Sequence, residues 1–141
     1  MSELELTVSR TIAASREKVF NAWLSPEMLG QFMRGRKDFH VARAETDPVK
    51  GGRFSIVMAT AEKEIPHAGT YLVVDPYSRL SFTWESPYSL DDSVVTIDLA
   101  EIDSHTTEIT LKQVKFVDES AREGHREGWT AILEELSKVF G

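Results

Sequence analysis

Four histidines, a scatter of carboxylates and one basic run are the residues of this chain that could do chemistry. His40, His67, His105 and His125 stand far apart, and no HxH, HxxxH or HExxH spacing occurs. Local metal-ligand spacing is therefore absent. With no cysteine in the chain, thiolate metal sites, disulfides and a cysteine nucleophile are excluded as well. No metal and no cofactor is expected. No Ser-His-Asp order or nucleophile elbow appears. Glu85, Tyr88, Asp91 and Asp92 border a polar loop. Paired carboxylates there would serve as acid and base only if burial or coupling raised one pKa. Arg34-Gly35-Arg36-Lys37 is the densest basic stretch, and in an acidic protein it fits a solvated loop better than an anion site. Gly51-Gly52 precedes a strand and lacks the Gly-Lys-Ser/Thr ending of a phosphate loop, so it fits a turn. His67 and His125 are the histidines placed to face an interior, although a lone histidine at such a position is usually a boundary residue. Catalytic residues are left unassigned. An enzymatic role would draw on His67, Tyr71, Arg53, Glu85 and His125.

The elements that must position these groups follow from periodicity. Leu4, Leu6 and Val8 alternate with polar residues, a half-buried strand running on to Ile12. Ser15 offers a helix cap ahead of Val19, Phe20, Trp23 and Leu24. Ser25-Pro26 ends that helix and starts another carrying Met28, Leu29 and Phe32. From Phe39 the period becomes two. Strands are expected around Phe39 and Val41, Phe54 to Met58, His67 to Val74, Leu80 to Trp84, Val95 to Leu99 and Thr107 to Leu111, with residues 61–66 as a charged connection. The chain closes on a long amphipathic helix. Ala121, Trp129, Ile132, Leu133, Leu136, Val139 and Phe140 form one stripe roughly 140° wide that includes His125. Ser120 and Glu123 are spaced as a capping box for it. Gly128 lies mid-helix, where close packing is the expected reason. Segregated strands and helices give an α+β protein: a curved antiparallel sheet of about seven strands wrapped around the C-terminal helix, with two short helices after the first strand.

Composition sets the class. The chain has 141 residues, a size suited to one domain over 1–141, and a net charge of −7 that disfavours nucleic acid and anionic membranes. The acidic, alternating start lacks the features of a signal peptide, and no run approaches a membrane span. Cytoplasmic location, without membrane insertion, is the expectation.

Several stretches carry a family resemblance: Arg10–Trp23 (RTIAASREKVFNAW), Gly51-Gly52-Arg53-Phe54, Gly69–Trp84 (GTYLVVDPYSRLSFTW), Thr106–Leu111 (TTEITL) and Gly128-Trp129. Together they span nearly the whole chain. They resemble the START-like, or SRPBCC, superfamily with its helix-grip fold, and within it the family of the C-terminal domain of the activator of heat-shock-protein-90 ATPase. Where many members carry a tryptophan pair near the end of the second helix, this chain has Gln31-Phe32-Met33. The chaperone activator has a further N-terminal domain for which these 141 residues leave no room. A chaperone partner is thus implied by analogy alone. The resemblance implies binding of a small hydrophobic or amphipathic molecule in a cavity between sheet and C-terminal helix. Its alternatives are a cyclase- or hydrolase-type enzyme acting on such a ligand, or a co-chaperone-like interaction domain. The expected cavity lining is Phe20, Trp23, Phe32, Phe54, Ile56, Met58, His67, Phe82, Trp84, Val95, Ile97, His125, Trp129, Ile132, Leu133 and Leu136. Either a monomer or a homodimer is compatible with the sequence.

Overall fold

A computed structural model describes residues 4–34, 39–87 and 92–140. Strand β1 (Glu5–Ile12) is followed by helices α1 (Arg16–Leu24) and α2 (Pro26–Phe32). Strands β2 (His40–Thr46), β3 (Arg53–Ala59), β4 (Glu64–Asp75), β5 (Arg79–Thr83), β6 (Val94–Asp103) and β7 (Thr106–Val114) come next, and helix α3 (Glu119–Phe140) closes the chain. The seven strands form one curled antiparallel sheet in the order β1-β7-β6-β5-β4-β3-β2. This is the α+β helix-grip architecture expected from the sequence.

Local chemistry explains the turns. The Ser15 side chain accepts from the Lys18 amide and Ser25 from the Met28 amide, so each short helix starts on its own cap. Pro26 occupies the first turn of α2, where its missing N–H costs nothing. Gly51 adopts φ +85°, a left-handed conformation that glycine reaches without strain, and its neighbours close the β2–β3 turn. This is the turn expected at Gly51-Gly52.

Two boundaries differ from expectation. Glu64–Pro66 belong to β4, not to the connection before it. The turn is confined to 60–63, where Thr60 Oγ1 accepts from the Glu62 and Lys63 amides. Pro66 is tolerated because that end of β4 pairs with β3 alone; β5 meets β4 only from Tyr71 to Asp75. At the start of α3, Asp118 Oδ1 accepts from the Ala121 amide at 2.8 Å, so the cap is Asp118 and not Ser120.

The core lies between the concave sheet face and the three helices. Ile56, Tyr71, Leu80, Phe82, Val95, Ile97, Ile109 and Leu111 point inward from the strands, against Trp129, Ile132, Leu133 and Leu136 of α3. Helices α1 and α2 close the side of this seam with Phe20, Trp23, Leu29 and Phe32. Gly128 has nothing within 4 Å of where a Cβ would stand, so close packing is not the reason for it.

Candidate functional site

Trp84 stands at the centre of the aromatic interior. It lies just past β5, but Ala68 and Glu85 exchange both backbone hydrogen bonds and the Trp84 amide donates to the Ser93 carbonyl at 2.9 Å. Those bonds fix the ring. His67 lies 4.9 Å away on one side and Trp129 4.9 Å away on another, centroid to centroid. Phe54 and Phe82 follow at 6.3 Å, and Trp129 leads on to Trp23 at 6.4 Å. Gly69 makes the packing possible. A Cβ there would collide with the Thr83 carbonyl oxygen and the Phe54 ring.

Within this region a cavity of about 10 Å³ is lined by Trp23, Leu29, Met33, Phe54, Ile56, Tyr71, Phe82 and Trp84. That is room for roughly one water-sized group. Five expected lining residues (Trp23, Phe54, Ile56, Phe82 and Trp84) meet there. Leu29 and Met33 join them unexpectedly, and Tyr71 is the one lining residue among the polar groups on which an enzymatic role would draw. Met33 falls in the Gln31-Phe32-Met33 stretch that departs from the family pattern. The cavity lies between sheet and short helices; no residue of α3 lines it. It is thus distinct from the space expected between the sheet and the C-terminal helix. Trp129, Ile132, Leu133 and Leu136 of α3 are buried in the core.

The other expected residues form the surrounding packing. Phe20 contacts Tyr77 edge to face at 5.6 Å, and Phe32 contacts Trp23 at 5.0 Å. Met58, Val95 and Ile97 are buried strand residues outside the cavity lining. His67 stacks on Trp84, and His125 contacts Phe116 at 5.2 Å.

The polar groups divide sharply. Trp129 Nε1 donates to Gln113 Oε1 at 2.6 Å, Gln113 Nε2 donates to Ser93 Oγ at 2.9 Å, and Ser93 Oγ donates to the Val114 carbonyl at 2.7 Å. Neither Gln113 nor Ser93 was singled out in the sequence. The signal for Gln113 is its place two residues beyond Leu111, on the inward face of β7. By contrast, Trp23 Nε1 and Trp84 Nε1 are buried without a hydrogen-bond partner among the described residues.

His67 Nδ1 lies 3.1 Å from the Ile65 carbonyl, which can only accept, so this nitrogen carries the proton. Burial pushes the His67 pKa down to about 4, against backbone hydrogen bonds that oppose the shift. It is neutral near pH 7. Burial also lowers His125, whose Nδ1 meets the Ala121 carbonyl at 2.8 Å. Tyr71 is pushed up by burial and by the nearby charge of Asp47. Arg53 and Glu85 form a two-pronged ion pair on the surface, its closest approach 2.9 Å, which holds the Glu85 carboxyl below its usual range. An anionic Glu85 tied to Arg53 is a poor general acid. Asp92 pairs with Lys115 at the surface and is lowered in pKa, while Tyr88 and Asp91 lie outside the described residues. Of the basic run, Arg34 pairs with Glu135 at 3.2 Å, and residues 35–37 lie outside the described residues. No group of three potential metal ligands occurs among the described residues. No described helix is long and apolar enough to cross a membrane.

A family model described as "Activator of Hsp90 ATPase homolog 1-like protein" matches residues 13–141. Among solved structures, a Chromobacterium violaceum protein superposes with a TM-score of 0.83 at 21% identity, covering 96% of each chain. An AHSA1-like protein from Aeromonas hydrophila gives 0.82 at 23% identity, covering 96% of this chain and 90% of its own. An AHSA1 protein from Silicibacter pomeroyi gives 0.79 at 26% identity, covering 96% of each. No curated protein matches the chain in sequence.

Proposed function

Because this chain belongs to the Activator of Hsp90 ATPase homolog 1-like family, with its START-type fold, we propose that it is a binding domain for a small hydrophobic or amphipathic molecule, seated between the sheet and the two short helices. The observation that carries this reading is the apolar, aromatic cavity lined by Trp23, Phe54, Phe82 and Trp84, with Tyr71 as a polar neighbour. Small-molecule sites are commonly concave, aromatic and sparing in polar groups. At about 10 Å³ the cavity takes only part of a ligand as it stands. Side chains on the short-helix side yield to admit the rest, and Met33, with its flexible thioether, is the most adaptable of them. Residues of α3 act behind this wall: Trp129, fixed by Gln113, braces Trp84. Binding is favoured over turnover because His67 is buried and neutral and Glu85 is committed to Arg53. The domain spans 1–141 and acts in the cytoplasm without a resident metal.

Native mass spectrometry of freshly purified protein, followed by denaturing extraction, tests this. A reproducible added mass that leaves on denaturation is expected. An unadorned mass, together with no thermal stabilisation by any member of an apolar ligand library, would remove the basis for the proposal.

A further inference from the structure

Three tryptophans meet in the interior, and only their N–H groups distinguish them. Trp129 is paired with Gln113. Trp23 and Trp84, each only 3% exposed, line the same small cavity with their N–H groups unpartnered among the described residues. A buried donor left unsatisfied is costly, and native interiors keep few of them. Two on one cavity call for an acceptor.

The rest of the lining says which acceptor. Leu29, Phe54, Ile56 and Phe82 offer no side-chain hydrogen bond. Tyr71 stays protonated, its pKa raised by burial and by the negative charge of Asp47. Among the described residues no cationic side chain lines the cavity. An anion would lose its hydration there without a counter-charge from the described lining. A neutral oxygen with two lone pairs meets the demand, and the cavity of about 10 Å³ has room for one such atom.

We propose that the cavity between Trp23 and Trp84 is the carbonyl subsite of the ligand, so that this domain selects neutral ketones, esters or quinones over hydrocarbons and carboxylates. This rests on the binding function proposed above and adds to it the ligand's polar group. The carbonyl oxygen accepts from the indole N–H groups, and the hydrocarbon remainder displaces the side chains of the short-helix side.

The test uses ¹⁵N-labelled full-length protein and three probes of similar size: acetophenone, ethylbenzene and benzoate. Trp23→Phe and Trp84→Phe assign the indole signals. Acetophenone is expected to bind about tenfold more tightly than ethylbenzene, the effect of one to two net hydrogen bonds. It should shift the Trp23 and Trp84 indole protons downfield and leave Trp129, already bonded to Gln113, nearly still. Benzoate at pH 7 should bind at least about tenfold more weakly than acetophenone. Either Trp→Phe variant should erode the preference for acetophenone while ethylbenzene binding holds, so one variant that folds is sufficient. Equal affinities for acetophenone and ethylbenzene with unmoved indole signals would overturn the carbonyl subsite and leave the binding function standing. Indole protons already downfield without ligand, and unmoved by acetophenone, would identify a resident water and overturn it too. Tightest binding of benzoate would overturn the neutral preference. No binding by any probe would overturn both proposals.

Discussion

His67 occupies an inward position of β4 that a hydrophobic residue would fill more cheaply. Its ring is stacked on Trp84, its Nδ1–H is committed to a backbone carbonyl, and burial holds its pKa at about 4 against an ordinary 6.5. The folded state therefore binds fewer protons than the unfolded chain between those values, and stability falls as the pH drops from about 6.5 to 4. The full contribution is present above pH 6.5, and the loss is on the order of 3 kcal/mol. Urea titrations at pH 7.5, 5.5 and 4.5 should show this slope, and His67→Gln should flatten it even if its overall stability is lower. An unchanged slope in the variant would place the acid sensitivity elsewhere. Gln113 supports a second prediction at the same scale. Gln113→Leu leaves the Trp129 N–H buried without its acceptor. Denaturation should then show a loss of about 1–3 kcal/mol.

At the scale of elements, helix α3 and strand β4 carry opposite kinds of glycine. Gly128 has open space where a Cβ would stand, so Gly128→Ala should gain helix propensity without a clash. The expected gain is about 1 kcal/mol, read as a higher denaturation midpoint with unchanged slope. Gly69 is the reverse: an added Cβ meets the Thr83 carbonyl and the Phe54 ring. Gly69→Ala should lower stability by at least about 2 kcal/mol, because the backbone of β5 cannot step aside as a side chain would. It should also disturb the Phe54–Trp84 stacking, which near-ultraviolet circular dichroism reports. Wild-type-like spectra and stability in this variant would mean that the two strands part more easily than their pairing suggests.

For the whole molecule, the sheet, the short helices and α3 share one set of buried side chains. Far-ultraviolet circular dichroism and tryptophan fluorescence should therefore report one coincident unfolding transition. A ligand held in that shared interior stabilises the entire fold by mass action, by about 2.7 kcal/mol at a hundred times its dissociation constant. A molecule recovered from the native protein should accordingly raise the melting temperature in proportion to the logarithm of its concentration. A ligand that binds without raising it would sit outside the core.

Much of this architecture was written into local pattern. Alternation along β1, β3, β6 and β7, serine caps ahead of α1 and α2, and the apolar stripe of α3 each follow from residue type and spacing, because a strand or helix exposes its buried face at a fixed period. Where the structure departs from local pattern, a neighbour decides. Pro66 belongs to a strand because β5 stops short of it, and Asp118 rather than Ser120 caps α3 because its carboxylate reaches the Ala121 amide. The aromatic residues of the site were legible as a group. Their division into cavity lining and packing was not, since that depends on how Trp129, Ile132, Leu133 and Leu136 fill the space against the sheet. The sequence by itself determined the family, the order of elements and the apolar character of the interior. Only the tertiary structure decided that this cavity is lined from α1 and α2, that Trp129 has a partner while Trp23 and Trp84 have none among the described residues, and that His67 Nδ1 is committed to the Ile65 carbonyl. Cavities and unmet hydrogen bonds are differences between surfaces that come from distant parts of the chain, and no local period records them.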